Sequence, residues 1–116
     1  MDTQYRIDMS ILNECYGSLL TAHQSEMMRL YYDLDVSLGE IAEQYSVSRQ
    51  AVRDAIMRGE KALQDYESKL HLVERMTALA EGLGELADMT SDSRVRDKIG
   101  HLISMVEGDC WAHLAD

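Results

Sequence analysis

The sequence predicts an all-α protein, a helix-turn-helix helical bundle with a C-terminal helical hairpin, and three observations carry that prediction. The 116 residues include no proline, no phenylalanine and seven glycines, with 46% apolar residues, a balance that favours helices over strands and long loops. Apolar residues recur at three- and four-residue spacing along most of the chain, which puts them on single faces of helices. Residues 37–58, SLGEIAEQYSVSRQAVRDAIMR, read as two such helices joined by a tight turn. The length fits one domain with a modest core and an appended element. The expected division is a helix-turn-helix domain over residues 1–70 and a helical hairpin over residues 71–116.

A first helix of about four turns is expected from Ile7, Ile11 or Leu12, Cys15 or Tyr16, and Leu19, ending near Leu20. Thr21 followed three residues later by Gln24 has the form of a capping box, in which a hydroxyl accepts from an orphan amide of the first turn. It opens a second helix through Met27, Met28, Leu30, Tyr31 and Leu34, ending near Asp33 to Asp35. Met27 and Met28 suit core filling. The adjacent Tyr31 and Tyr32 cannot both face one core, so one of them is expected to be the more exposed, with a solvated hydroxyl.

The helix-turn-helix can be read position by position. Leu38, Ile41, Ala42 and Tyr45 share one face of its first helix, and the small Ala42 lets the second helix approach closely. Ser46 and Val47 form the turn, with Val47 expected to tuck inward. Ser46 stands where a positive φ is commonly needed, at a strain of about 1 kcal/mol for a residue other than glycine. Ser48 is the N-cap of the second helix. Ala51, Val52, Ala55, Ile56 and Gly59 are expected to face the core, leaving Arg49, Gln50, Arg53, Asp54 and Met57 on the outer face. Arginine and glutamine on an exposed N-terminal turn are the side chains that read base edges and phosphates. The candidate nucleic-acid or partner-binding residues are therefore Ser48, Arg49, Gln50, Arg53, Met57, Arg58 and Lys61.

The helical pattern continues through Ala62, Leu63, Tyr66 and Leu70 with a short linker or none. Apolar residues then fall at 72, 76, 79, 83 and 86, a four-three alternation of about two heptads with Glu74, Glu81 and Glu85 off the seam. Gly82 and Gly84 inside that arm cost about 1 kcal/mol each relative to alanine and suggest close helix contact or a weak point. A second arm is signalled by Ser91, Asp92 and Ser93 as a cap region, the bases Arg94, Arg96 and Lys98, and the seam Val95, Ile99, Leu102 and Val106. The hairpin either closes on the chain's own core or pairs with a second copy, giving a homodimer through the C-terminal helices. Trp111 is expected to act as a hydrophobic plug.

The net charge is -10, from 21 acids and 11 bases. Counterion release scales with the bases a protein presents, so strong autonomous duplex binding is disfavoured. Residues 49–61 depart from this, with Arg49, Arg53, Arg58 and Lys61 against Asp54 and Glu60. Cys15 and Cys110 lie far apart without a CxxC pair, which suggests reduced thiols. His23, His71, His101 and His113 lack metal-ligand spacing, and His101 with Ser104 or Cys110 makes no convincing triad. No enzyme, metal or cofactor is expected. The acidic N-terminus lacks the form of a signal peptide and no apolar run approaches a membrane span, so the expectation is a cytoplasmic protein without a membrane partner.

Residues 19–70, LLTAHQSEMMRLYYDLDVSLGEIAEQYSVSRQAVRDAIMRGEKALQDYESKL, closely resemble the YlxM group of bacterial helix-turn-helix proteins. The most specific matches are Leu20 to Gln24, the Tyr31-Tyr32 pair followed by acids, Ser37 to Ala42, and Ser48 to Val52. The same stretch is similar, less closely, to the sigma-factor domain that reads promoter DNA. The resemblance implies an accessory or regulatory role in the signal recognition particle pathway, with the particle's GTPase and RNA as the partners. The alternative it leaves is a DNA-binding transcriptional regulator of sigma-factor-like type.

Overall fold

The computed structural model describes residues 3–107. They form six α-helices: α1 Thr3–Tyr16, α2 Ala22–Tyr32, α3 Leu38–Tyr45, α4 Arg49–Leu70, α5 Leu72–Asp88 and α6 Ser93–Glu107, with a 3-10 turn at Gly17–Leu19. The chain divides at Leu70 and His71 into two compact units. His71 separates α4 from α5 as a single left-handed residue, φ 53°. No helix among the described residues is long and apolar enough to cross a membrane.

In the first unit α4 packs against α1, α2 and α3. Its core holds Met28, Ile41, Val52 and Leu63, all fully shielded from solvent. Burial of each is worth about 1.5–3 kcal/mol, so the four anchor α2 and α3 on α4. Helix α1 buries Met9, Leu12 and Tyr16. The expected register differs here, because Ile7, Ile11 and Leu19 are largely exposed. Packing selects the 9, 12, 16 face, with Tyr5 one turn earlier, and the α-helix stops at Tyr16 rather than near Leu20. The chain then tightens into the 3-10 turn, where the Leu20 N–H donates to Gly17 O at 3.0 Å.

Thr21 caps α2, accepting from the Gln24 N–H at 3.1 Å. The Gln24 side chain does not return to Thr21 as in a full capping box; it donates to Ala55 O on α4 at 3.1 Å. Met27, Met28, Leu30 and Tyr32 are buried, while Leu34 lies beyond the helix end and is exposed. Of the tyrosine pair, Tyr32 is the buried member and Tyr31 the half-exposed one. Arg6 on α1 lies 5.0 Å from the Tyr31 ring centre and 5.3 Å from that of Tyr32, and it pairs with Asp35 at 2.9 Å.

The second unit is the hairpin of α5 and α6. Asp92, in the middle of the expected cap region, accepts from the Arg94 N–H at 2.9 Å through Oδ1. The seam differs from the heptad expectation: Ala80 and Ile99 are its two buried residues, whereas Leu79, Leu86 and Val95 are largely exposed. A side chain at Gly82 or Gly84 would meet nothing within 4 Å, so neither marks a close helix contact. The small Ala80 is the buried residue of α5, and Ile99 that of α6. The expectations for Cys110, Trp111 and His113 lie outside the described residues.

Candidate recognition surface on helix α4

The turn between α3 and α4 is built by three consecutive residues. Ser37 opens α3 by accepting from the Glu40 N–H at 3.2 Å. Ser46 closes it in the left-handed region at φ 55°, ψ 46°. That geometry lets the Val47 N–H donate to Ala42 O at 3.0 Å, satisfying an end carbonyl of α3. Ser48 then caps α4, its Oγ accepting from the Ala51 N–H at 3.0 Å. The hydroxyl of Ser48 is thereby committed to the helix. Val47 does not tuck inward: it is 40% exposed on the turn, since the αL residue before it turns the chain outward. Ala51 is exposed and Ala55 half-buried, so the core face of α4 is the narrower stripe of Val52, Ile56, Gly59 and Leu63.

The predicted site residues are brought onto one helix, though not into one orientation. Arg49, Gln50, Arg53, Met57, Arg58 and Lys61 are all exposed. Arg53, Met57 and Lys61 follow at four-residue intervals and form one ledge, with Met57 56% exposed at its middle. Gln50 donates to Asp54 Oδ1 at 2.8 Å, so part of its hydrogen-bonding capacity is taken up one turn along. Arg49 folds back toward α3. A methyl group on Gly39 would lie 2.9 Å from Arg49 Nη2 and 3.0 Å from Nε, so the guanidinium rests where a side chain would otherwise stand. The two line a cavity of about 460 Å³ together with Glu40, Glu43, Ser46 and Val47. Two carboxylates beside one guanidinium make that cavity unsuited to a phosphate on its own.

Two features of the surface escape the sequence pattern. Glu60, counted against the bases of residues 49–61, is turned inward: it accepts from the Tyr5 hydroxyl at 3.1 Å and from the Tyr32 hydroxyl. Burial and the neighbouring Glu60 carboxylate push both tyrosine hydroxyls above their ordinary range. Second, the bases of the first unit are partitioned. Arg6 pairs with Asp35 and Arg29 with Glu26, at 2.9 and 2.6 Å. Among the described residues none of the α4 bases Arg49, Arg53, Arg58, Lys61 and Lys69 forms an ion pair. Only the tyrosines far upstream signal the fate of Glu60, and Gly39 inside a helix is the one local hint of the Arg49 seat.

This arrangement, two helices joined by an αL turn with the second capped and exposed along its outer face, defines a helix-turn-helix protein. Residues 3–103 match the UPF0122 family of YlxM / p13-like helix-turn-helix proteins. The chain is 46% identical over 99 residues to the UPF0122 protein YlxM of Bacillus subtilis (strain 168), covering 85% of this chain and 90% of that protein. It is 44% identical over 112 residues to a UPF0122 protein of Latilactobacillus sakei, covering 92% and 99%, and 48% identical over 81 residues to one of Desulforamulus reducens, covering 70% and 69%. The chain belongs to the UPF0122 family. None of these names denotes an enzyme.

Proposed function

We propose that this chain is a non-enzymatic accessory protein of the signal recognition particle pathway, engaging the particle's RNA or its GTPase through the outer face of α4. The observation that carries the reading is the partition of charge. Every base of the first unit without an ion pair among the described residues lies on α4, and of the two acids among residues 49–61, Glu60 is drawn inward by Tyr5 and Tyr32 while Asp54 accepts from Gln50. The neighbouring α3 presents Glu40 and Glu43 to solvent. A duplex groove sets phosphates along both sides of an inserted helix, and this flank repels them, whereas a single strand, a loop or an acidic protein surface needs only the α4 ledge. The pathway in this reading is the one that the resemblance to the YlxM group implies, and the family membership supports it.

A titration of the full chain against the particle's RNA, its GTPase, and random duplex DNA at about 150 mM salt tests the proposal. Binding to one of the first two, weakened several-fold by Arg53→Ala and Lys61→Ala, is the expected result. Tight, sequence-selective duplex binding with no response to either particle component overturns it in favour of a transcriptional regulator. That second reading draws on the Ser48-capped, exposed first turn of α4, the part a DNA reader inserts.

A further inference from the structure

Gly39 is a residue of α3 that its own helix does not explain. It stands in the first turn, two positions after the Ser37 cap, and no glycine among the described residues has a positive φ, so its backbone is one that any residue adopts. Glycine weakens a helix relative to alanine, and what sets this position apart is a close approach. The approaching group is the Arg49 guanidinium: a Cβ on Gly39 would lie 2.9 Å from Nη2, 3.0 Å from Nε and 3.2 Å from Cζ. Arg49 is the first residue of α4, four positions before Arg53, so an extended Arg49 would head the row of Arg53, Met57 and Lys61. Its neighbours at that end are engaged as well, since Ser48 Oγ accepts from the Ala51 N–H and Gln50 donates to Asp54.

We infer that Gly39 is a positioning residue: it seats Arg49 against α3, withholds that base from the anion-binding row of α4, and so makes the row begin at Arg53. The electrostatics act in the same direction. Glu40 and Glu43 line the cavity that receives the guanidinium, and a cation beside two carboxylates of its own chain presents less positive potential to an outside anion than one extended into solvent. Neither carboxylate closes an ion pair with Arg49 among the described residues, so the seat depends on the space over Gly39 rather than on a salt bridge. A methyl group at residue 39 fills that space. The group it meets is the far end of a flexible side chain, which yields by changing rotamer and leaves the two helices where they are. The ligand in this inference, though not the seat, rests on the reading of α4 as an anion-binding face.

Nuclear Overhauser contacts from the Arg49 Hε and Hδ protons to the Gly39 Hα protons, measured on the full chain, test the seat without any ligand. They are expected in the natural sequence, and their absence overturns the inference. Titration with a single-stranded uridine dodecamer at about 50 mM salt reads the consequence. Gly39→Ala, which favours the helix, should tighten binding about fivefold and steepen the slope of log affinity against log salt by about 0.7, the share of one further phosphate contact on a single strand. The gain should vanish in the double variant Gly39→Ala with Arg49→Ala, and Arg49→Ala alone should weaken binding less than Arg53→Ala does. If Arg53→Ala weakens binding but Gly39→Ala brings no gain, the inference falls while the α4 reading stands. The reverse result, with the contacts present and no dodecamer bound by either chain, counts against a nucleic acid at α4 and upholds the seat.

Discussion

The sulfur of Met28 on α2 lies 3.0 Å from the position a Cβ on Gly59 of α4 would occupy, and Met28 Cγ lies 3.2 Å from it. The two helices meet at this point with hydrogen where every other residue carries carbon. Gly59→Val should therefore destabilise the fold by about 1–3 kcal/mol through overpacking. Gly100 on α6 has nothing within 4 Å of the same position, and Gly100→Ala should stabilise the second unit by about 0.5–1 kcal/mol. Urea unfolding of both variants checks the opposite signs.

The turn of the helix-turn-helix gives a second pair of opposed effects. Ser46→Gly removes the αL strain at φ 55° and should raise stability by about 1 kcal/mol, whereas Ser48→Ala loses the cap of α4 and should lower it by about 1 kcal/mol. Thermal melts that moved the same way for both would contradict the turn geometry.

The thiol of Cys15 is pushed up to about 11, first by burial and then by the carboxylates of Glu67 and Glu14. At pH 8 its thiolate fraction should be about a hundredfold below that of an ordinary thiol, whose pKa is 9.0. Alkylation kinetics in a Cys110→Ser background measure this directly; labelling as fast as a free thiol would place Cys15 outside the α1 and α4 packing.

Alkaline pH should weaken the fold. Cys15, Tyr5 and Tyr32 all have acid dissociation shifted upward in the folded state, so each favours the folded chain below its unfolded value. That contribution is lost as pH rises from about 9 through the folded values above 10. The melting temperature should fall over this window, and Glu60→Gln should lessen the part due to the tyrosines.

If a nucleic acid is the ligand of α4, each of Arg53, Arg58 and Lys61 that touches a phosphate should contribute about 0.7–0.9 to the slope of log affinity against log salt. Single alanine variants should each flatten that slope by about this amount. An unchanged slope for all three would assign the ligand elsewhere.

The helix-turn-helix was legible because its signals are local. Thr21 and Ser48 each announce a cap through a bond to a residue three positions on, and Ile41, Ala42, Val52 and Ile56 follow the helical period of their own helices. The register of α1 was not legible, since Ile7 and Ile11 are as apolar as Met9 and Leu12, and the choice between the two stripes is made by α2 and α4. Val47 and Leu34 went astray for a related reason, because each lies at or beyond a helix end, where periodicity no longer determines direction. At the candidate site, the exposure of Arg49, Gln50, Arg53, Met57, Arg58 and Lys61 was legible from their offsets along α4. The seat of Arg49 on Gly39 and the withdrawal of Glu60 depend on residues 10 and 28 to 55 positions away, separations that no local pattern spans.

The inward turn of Glu60 makes the sign of the α4 surface a property of tertiary structure. Tyr5 belongs to α1 and Tyr32 to the last turn of α2, so the helices that carry them act as a screen, keeping one negative charge from the ledge of Arg53, Met57 and Lys61. Were α1 to lift away, the ledge would gain an acid at its edge and lose attraction for anions without any change in its own residues. Affinity at α4 and the docking of the N-terminal helix are thus two readings of one equilibrium, each able to report on the other.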